Sequence, residues 1–223
     1  MYESTDDPYC YPGTTVLKNR RDLRTQEALD RFETAITAQR FDEPLPAGKL
    51  TEQHYRQVHR HLFRDVYSWA GEYRTVRISK GDSSFCYPEY IPREMAKLFT
   101  GLRRDNNLSG LSAQQFARKA ASLLSNLNAI HPFRDGNGRS QMAFITLLAA
   151  RAGHPLHLAR LVPADFMTAM IRSFQGDEEP AGPTPSSTAL TEMAAGQTCA
   201  VRFGVCTPGR IFIDISLSFS YKT

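Results

Sequence analysis

The chain has 223 residues, 41% of them hydrophobic and 10% aromatic, and a formal net charge of +4 at neutral pH, enough apolar content for one sizeable core or for one core and an appendage. Its basic residues are interspersed with 23 acidic ones, so the charge balance gives no case for a nucleic-acid partner. No apolar run is long enough to span a membrane, and none is expected to contact one.

The opening Met-Tyr-Glu-Ser-Thr-Asp-Asp is acidic and polar, unlike a secretory signal. The four cysteines, Cys10, Cys86, Cys199 and Cys206, are sparse and form no CxxC pair, which suits a reducing cytoplasm better than a disulfide framework. Thr25 can cap a helix carrying Leu29, Phe32 and Ile36, and Thr51 another carrying Tyr55, Val58, Leu62 and Val66. His54, His59 and His61 lie on or near the second helix. They lack a His-Glu-x-x-His context or a cysteine at ligand spacing, so a metal site there is not expected.

The segment from Arg74 to Tyr87 reads as a hairpin with Lys80-Gly81-Asp82-Ser83 at its turn, because Val76 and Ile78 alternate with polar neighbours. The residues alone leave two roles open, an edge hairpin over one end of a helical bundle or a clamp for a partner. A third helix is expected from Pro92, with Met95, Leu98, Phe99 and Leu102 inside. Phe116, Ala120, Leu123, Leu124, Leu127 and Ile130 recur at helical intervals and predict a helix from Ser112 to Ile130, which Pro132 stops. From Arg139 to Ala152 the sequence is apolar on nearly all sides, which predicts a central buried helix ended by Gly153 and Pro155. His154 and His157 follow that end and read as capping or surface groups, and Pro163 opens a short helix with Phe166, Met170 and Phe174. The expected fold is mainly α with one hairpin.

The C-terminal portion differs. Gly176-Asp-Glu-Glu-Pro180 leads into Ala-Gly-Pro-Thr-Pro-Ser-Ser-Thr188, a run rich in breakers, so residues 1–176 are expected to form the domain and 177–223 an atypical tail. Within the tail Ile211, Ile213, Ile215, Leu217 and Phe219 alternate as a strand would, with no obvious partner. An exposed edge, an interaction segment and sequence foreign to the fold all fit that pattern.

The most informative stretch is His131-Pro-Phe-Arg-Asp-Gly-Asn-Gly-Arg-Ser140 between the two apolar helices. Gly136, Asn137 and Gly138 can turn amide N–H groups at the start of the second helix toward an anion, and Arg139 in the first turn opposes the helix dipole unless an anion is bound. A bare turn with a solvated arginine is the plainer reading. With His131, Asp135, Asn137 and Arg139 all within nine residues, a phosphate site with a base at its edge is favoured.

These residues resemble the Fic-domain motif HPFx(D/E)GNGRxxR, of which eight of nine defined positions are present. The resemblance extends from about Tyr9 to Phe174. It takes in Tyr11-Pro-Gly-Thr-Thr-Val-Leu-Lys-Asn19, Trp69-Ala-Gly-Glu-Tyr-Arg74 and Arg77-Ile-Ser-Lys-Gly81 in the family's order. It implies a Fic fold, a helical bundle with a β-hairpin flap over the active site, and transfer of AMP from ATP to a Tyr, Thr or Ser hydroxyl of a target protein with release of pyrophosphate. By the same resemblance His131 is the general base and Asp135 holds Mg²⁺ on the α- and β-phosphates. Gly136, Asn137 and Gly138 form the anion hole, Arg139 neutralises the β-phosphate, and Phe133 anchors the loop. The flap, Val76, Arg77, Ile78, Ser79, Lys80 and Gly81, docks an extended target segment by strand addition.

The motif's last arginine falls on Met142, which cannot bind phosphate. Three outcomes are open: weaker or misplaced ATP with chemistry retained, a different nucleotide, or a chain that no longer catalyses and serves as a Fic-fold protein-binding module. Impaired transfer is the favoured expectation, because base and metal ligand remain. Family members are often inhibited by a helix bearing (S/T)xxxE(G/N). The partial matches here, Ser68 with Glu72 and Thr188 with Glu192, end in Tyr73 and Met193. This favours a toxin-like member of the bacterial cytoplasm, restrained by a separate small antitoxin carrying the inhibitory glutamate, or an effector delivered into another cell.

Overall fold

Thr25 and Thr51 open α1 (Gln26–Asp42) and α2 (Glu52–Phe63), each hydroxyl accepting a first-turn amide, from Ala28 and His54 respectively. The computed structural model describes residues 7–80 and 83–156, and the backbone of 204–205 and 211–212. After α2 come β1 (Ser79–Lys80), β2 (Ser83–Ser84) and α3 (Ile91–Arg104), then α4 (Ala113–Ile130) and α5 (Asn137–Arg151). Ser112 starts α4 with a reciprocal capping box to Gln115. All six apolar positions expected to line α4 are buried.

Helix α5 packs against both α2 and α4, while α1 lies on α2 and α3 on α4. Ala143, Phe144, Ile145, Leu148 and Ala149 of α5 are buried among Tyr55, Val58, Leu62, Phe99 and Leu127. The expected central helix is therefore present, beginning at Asn137, two residues before Arg139. Three rings converge on Phe144 at its middle, Tyr55 edge-on at 5.3 Å, Phe99 at 5.5 Å and His54 at 6.1 Å, and Tyr55 also stacks on Phe133 at 5.5 Å.

Helix α1 departs from expectation in a way that matters for the site. Its innermost residues are Leu29, Glu33 and Thr37, whereas Phe32 and Ile36 are only half-buried. The helix has turned polar side chains inward, and their partner lies on α5.

The hairpin is shorter than the alternation implies. Ser79 pairs with Ser84 and Lys80 with Ser83, and the Phe85 amide adds one bond to the Ile78 carbonyl at 3.3 Å. Upstream, the Val76 carbonyl accepts from the Arg74 guanidinium at 2.6 Å, so this carbonyl is bound to a side chain. The turn residues Gly81 and Asp82 lie outside the described residues, as do the expected helix from Pro163 and His157. In the tail, Gly204–Val205 and Ile211–Phe212 form an antiparallel pair, which gives the start of the Ile211 pattern a partner.

Candidate active site

The site is a loop, residues 131–136, hung between the end of α4 and the start of α5. His131 caps α4 in the left-handed region (φ 49°, ψ 62°), rare for a non-glycine residue and disfavoured before proline. Three bonds hold it there. Its amide donates to the Leu127 carbonyl at 2.9 Å, its carbonyl accepts from Arg74 Nε at 2.8 Å, and its Nδ1 lies 3.2 Å from the Asn128 carbonyl. A carbonyl can only accept, so Nδ1 carries the hydrogen and Nε2 keeps the lone pair of the neutral ring. The ring itself lies flat on Phe85, centroids 3.9 Å apart, at the base of the hairpin.

Arg74 builds much of this loop. Besides the His131 carbonyl it donates to those of Val76, Cys86 and Ile130, and its own amide donates to the Pro132 carbonyl at 2.9 Å. One buried guanidinium thereby ties the hairpin's two ends to the end of α4. His59 does the same from α2. Its Nδ1 accepts the Gly71 amide at 2.8 Å, so Nε2 donates to the Asp135 carbonyl at 3.0 Å. The ring is sandwiched on Phe133 at 3.8 Å and Phe63 at 4.7 Å. Burial dominates its titration and pushes its pKa down to about 3, so it works as a neutral strut.

His54 and His61 also bond the backbone, at the Pro46 and Arg40 carbonyls. His154, expected as a capping or surface group, is buried; its amide donates to the Ala149 carbonyl of α5 at 2.8 Å and its Nε2 lies 2.9 Å from the Leu111 carbonyl.

Phe133 is fully buried, as an anchor should be, and Asn137 locks it from both sides. The Asn137 carboxamide oxygen accepts the Phe133 amide at 3.0 Å while its nitrogen donates to the Phe133 carbonyl at 2.8 Å. The Asn137 side chain thus shapes the loop. Gly136, the N-cap of α5, sits at φ +76°, and a Cβ there would stand 2.4 Å from the Phe63 ring. Gly138 differs: nothing lies within 4 Å of where its Cβ would be. No side chain caps α5, so its first-turn amides face this open side.

Asp135 accepts the Gly136 amide at 2.5 Å on Oδ1, and its side chain is about one-third exposed (36%). Arg139 stands over the Phe63 ring, 4.6 Å from its centroid, and meets three residues. It pairs with Glu33, donates to the Thr37 hydroxyl at 3.4 Å, and approaches Asp135 Oδ1 at 3.6 Å. Tyr67 donates its hydroxyl to the other oxygen of Glu33. Burial outweighs the favourable Arg139 charge and raises the Glu33 pKa. Met142, one turn beyond Arg139, is half-buried against the core.

Of the expected flap residues, Ile78 is buried, Val76 half-buried and Arg77 exposed over the Tyr87 ring at 4.1 Å. Ser79 and Lys80 form β1, and Gly81 is outside the described residues. Glu72 lies in a turn and pairs with Arg56 at 2.5 Å, so the Ser68–Glu72 match forms no inhibitory helix.

The sequence reading missed Glu33, Thr37, Tyr67, His59, Arg74 and Phe85. Arg74 had a signal, as the last residue of the Trp69 element. Arg134, the variable position of the motif, was also passed over. It forms an ion pair with Asp7 at 2.6 Å, both side chains only 4% exposed, and so pins the N-terminal segment to the loop.

The sequence and the fold have known relatives. The pattern of the Fic/DOC family matches residues 49–149. Among curated relatives, the probable protein adenylyltransferase y4lH of Sinorhizobium fredii is 49% identical over 180 residues, covering 80% of this chain and 94% of the relative. The protein adenylyltransferase VbhT of Bartonella schoenbuchensis is 36% identical over 80% of this chain, which spans only 38% of that longer relative. The crystal structure of BepC from Bartonella tribocorum, a VirB-translocated effector with bound AMPPNP, superposes with a TM-score of 0.68 at 29% identity, covering 77% of this chain and 91% of that one. The ADP-bound N-terminal Fic domain of a VirB-translocated effector from Bartonella quintana also reaches 0.68, at 30% identity, over 76% of this chain and 87% of that one.

Proposed function

The chain belongs to the Fic/DOC family and is a protein adenylyltransferase that uses ATP, and from that premise we propose how its own residues run the transfer. His131 Nε2 takes the proton from a target side-chain hydroxyl as that oxygen attacks the α-phosphorus. The new P–O bond forms as the bond to pyrophosphate breaks, and the electron pair leaves on pyrophosphate. No covalent enzyme intermediate is formed. The observation that carries this reading is the 3.2 Å approach of His131 Nδ1 to the Asn128 carbonyl. Asn128 fixes the proton on Nδ1, which leaves the basic lone pair on the other nitrogen before any substrate arrives.

The first-turn amides of Asn137 and Gly138, together with Arg139, take up the charge on the phosphates, while Gly136, its amide on Asp135, shapes the anion hole. Asp135 would hold Mg²⁺. A single, part-exposed carboxylate suits this ion, which is commonly bound by one or two carboxylates with the substrate's phosphates. When bound it supplies charge neutralisation. Two carboxyl groups, Glu33 and Asp135, flank Arg139, and position 142 adds no cation, so binding of polyanionic ATP here depends strongly on the ion.

The hairpin, from Val76 to Gly81, serves as the docking edge for an extended segment of the target, supported by its position over His131 through Phe85. Residues 1–176 form the Fic domain and 177–223 an appended tail. The protein acts in the bacterial cytoplasm, where a separate antitoxin restrains it; its effector relatives support delivery into another cell as the second reading. Among the described residues no helix is long and apolar enough to cross a membrane.

The test is to incubate the protein and Mg²⁺ with bacterial lysate and ATP labelled at either the α- or the γ-phosphate, beside His131→Ala. Protein bands labelled from the α-phosphate alone, and only with His131, are expected. Bands labelled from the γ-phosphate, or bands that survive His131→Ala, would contradict the assignment.

A further inference from the structure

Two carboxylates compete for one guanidinium in this site. The same Arg139 NH2 group pairs with Glu33 Oε1 and stands 3.6 Å from Asp135 Oδ1, beyond hydrogen-bond range. Glu33 has the advantage on three counts. Its side chain is 11% exposed against 36% for Asp135, so its attraction to Arg139 is less screened. Its second oxygen is fixed by Tyr67, whose ring is stacked 4.3 Å from Trp69. And Thr37, one turn along α1, accepts from the other arm of the guanidinium at 3.4 Å.

We propose that Glu33 is a positioning residue for AMP transfer: by holding Arg139 from the α1 side, it keeps the guanidinium from closing on Asp135 and so leaves the Asp135 carboxylate for the metal. This rests on the nucleotide reading above. Arg139 and Asp135 already form a loose ion pair at 3.6 Å, and closing it to hydrogen-bond contact would remove both a metal ligand and a phosphate donor from use. Glu33 prevents this at the cost of a negative charge near the phosphates, and Thr37 and the Phe63 face hold the same head without adding charge. The arrangement gives Arg139 its close contact on Glu33 and leaves Asp135 the looser one. Partners of this kind tune metal affinity by about 10- to 100-fold in other sites.

Glu33→Gln, Tyr67→Phe and the parent protein are compared by calorimetric titration with AMPPNP, once with Mg²⁺ and once with EDTA. The Mg²⁺ concentration for half-maximal AMP transfer is measured alongside. Glu33→Gln is expected to weaken AMPPNP binding about tenfold with Mg²⁺ while leaving it unchanged or tighter in EDTA, where removing a carboxylate favours a polyanion. The half-saturating Mg²⁺ concentration should rise by a similar factor. Tyr67→Phe, which keeps the carboxylate but frees one oxygen, should shift both in the same direction by less. In an Asp135→Asn background, Glu33→Gln should have no further effect on Mg²⁺-dependent binding.

Equal weakening with and without Mg²⁺, or an unshifted Mg²⁺ dependence in both variants, overturns the proposal. If His131→Ala abolishes transfer while these variants behave as the parent does, only this inference falls. If His131→Ala transfers AMP normally, the reading beneath it falls as well.

Discussion

Gly136 and Gly138 sit two residues apart in one loop, yet physics assigns them different tasks. Gly136 needs its left-handed φ of +76°, and any Cβ would press into the Phe63 ring. Gly136→Ala is therefore expected to cost about 1–3 kcal/mol of stability, seen as a lower denaturation midpoint, and to weaken nucleotide binding with it. Gly138 has open space beside it. Gly138→Ala should leave stability unchanged or slightly higher, since alanine is the better helix former, while its methyl obstructs approach of phosphate to the first-turn amides. Nucleotide titration and urea denaturation of both variants should thus separate binding from folding at Gly138 and lose both at Gly136. A Gly138→Ala variant that binds nucleotide like the parent would place the phosphates elsewhere.

Residue-scale legibility was uneven for a physical reason. The motif compresses base, carboxylate, glycines and arginine into one stretch, so they could be read together. The groups that position them come from far away in sequence. Glu33 is 106 residues from Arg139, and His59 is 76 from Asp135.

At the scale of elements, hydrophobic periodicity found α4 and α5 because their inner faces are apolar. It failed on α1, where Glu33 and Thr37 take inner positions that the apolar pattern assigned to Phe32 and Ile36. A polar residue turned inward is invisible to that pattern unless its partner is known. Helix α2 carries a related feature in His59, buried and neutral between Phe133 and Phe63. Its folded pKa, about 3, is below the ordinary value of 6.5, so between the two the unfolded chain binds the extra proton. The contribution of His59 is complete above pH 6.5 and is lost as pH falls through that window. At about 1.4 kcal/mol per pH unit, going from pH 7 to pH 5 should cost on the order of 2 kcal/mol through this group. Glu33, with its raised pKa, acts in the opposite sense, losing its contribution as pH rises. Urea midpoints of parent and His59→Gln at the two pH values isolate the histidine: the parent should fall more steeply on acidification. Equal slopes would mean that His59 is not the buried neutral strut described.

Across the whole molecule, the motif loop is held by three distant parts of the chain: the N-terminal segment through Asp7, α2 through His59 and the segment after Trp69 through Arg74. The Asp7–Arg134 pair is nearly inaccessible, so Asp7→Ala breaks a buried ion pair and is expected to cost about 3–5 kcal/mol, measured by urea denaturation. A loss under 1 kcal/mol would show the strap to be dispensable. Met142 is the one place where the motif departs from its family pattern, and α5 presents this position one turn beyond Arg139. An arginine there adds a charge-assisted phosphate contact of about 1.5–3 kcal/mol, so Met142→Arg should tighten ATP binding about tenfold or more and speed transfer. Unaltered affinity and rate would mean that Met142 does not limit the enzyme.

The central claim is that His131 does chemistry rather than binding. Its most direct measurement sets the AMP-transfer rate of His131→Ala beside its calorimetric affinity for AMPPNP with Mg²⁺. The account predicts parental affinity with transfer slowed at least about 100-fold, the contribution of a positioned general base. Parental transfer, or loss of affinity in proportion to the loss of transfer, would contradict it.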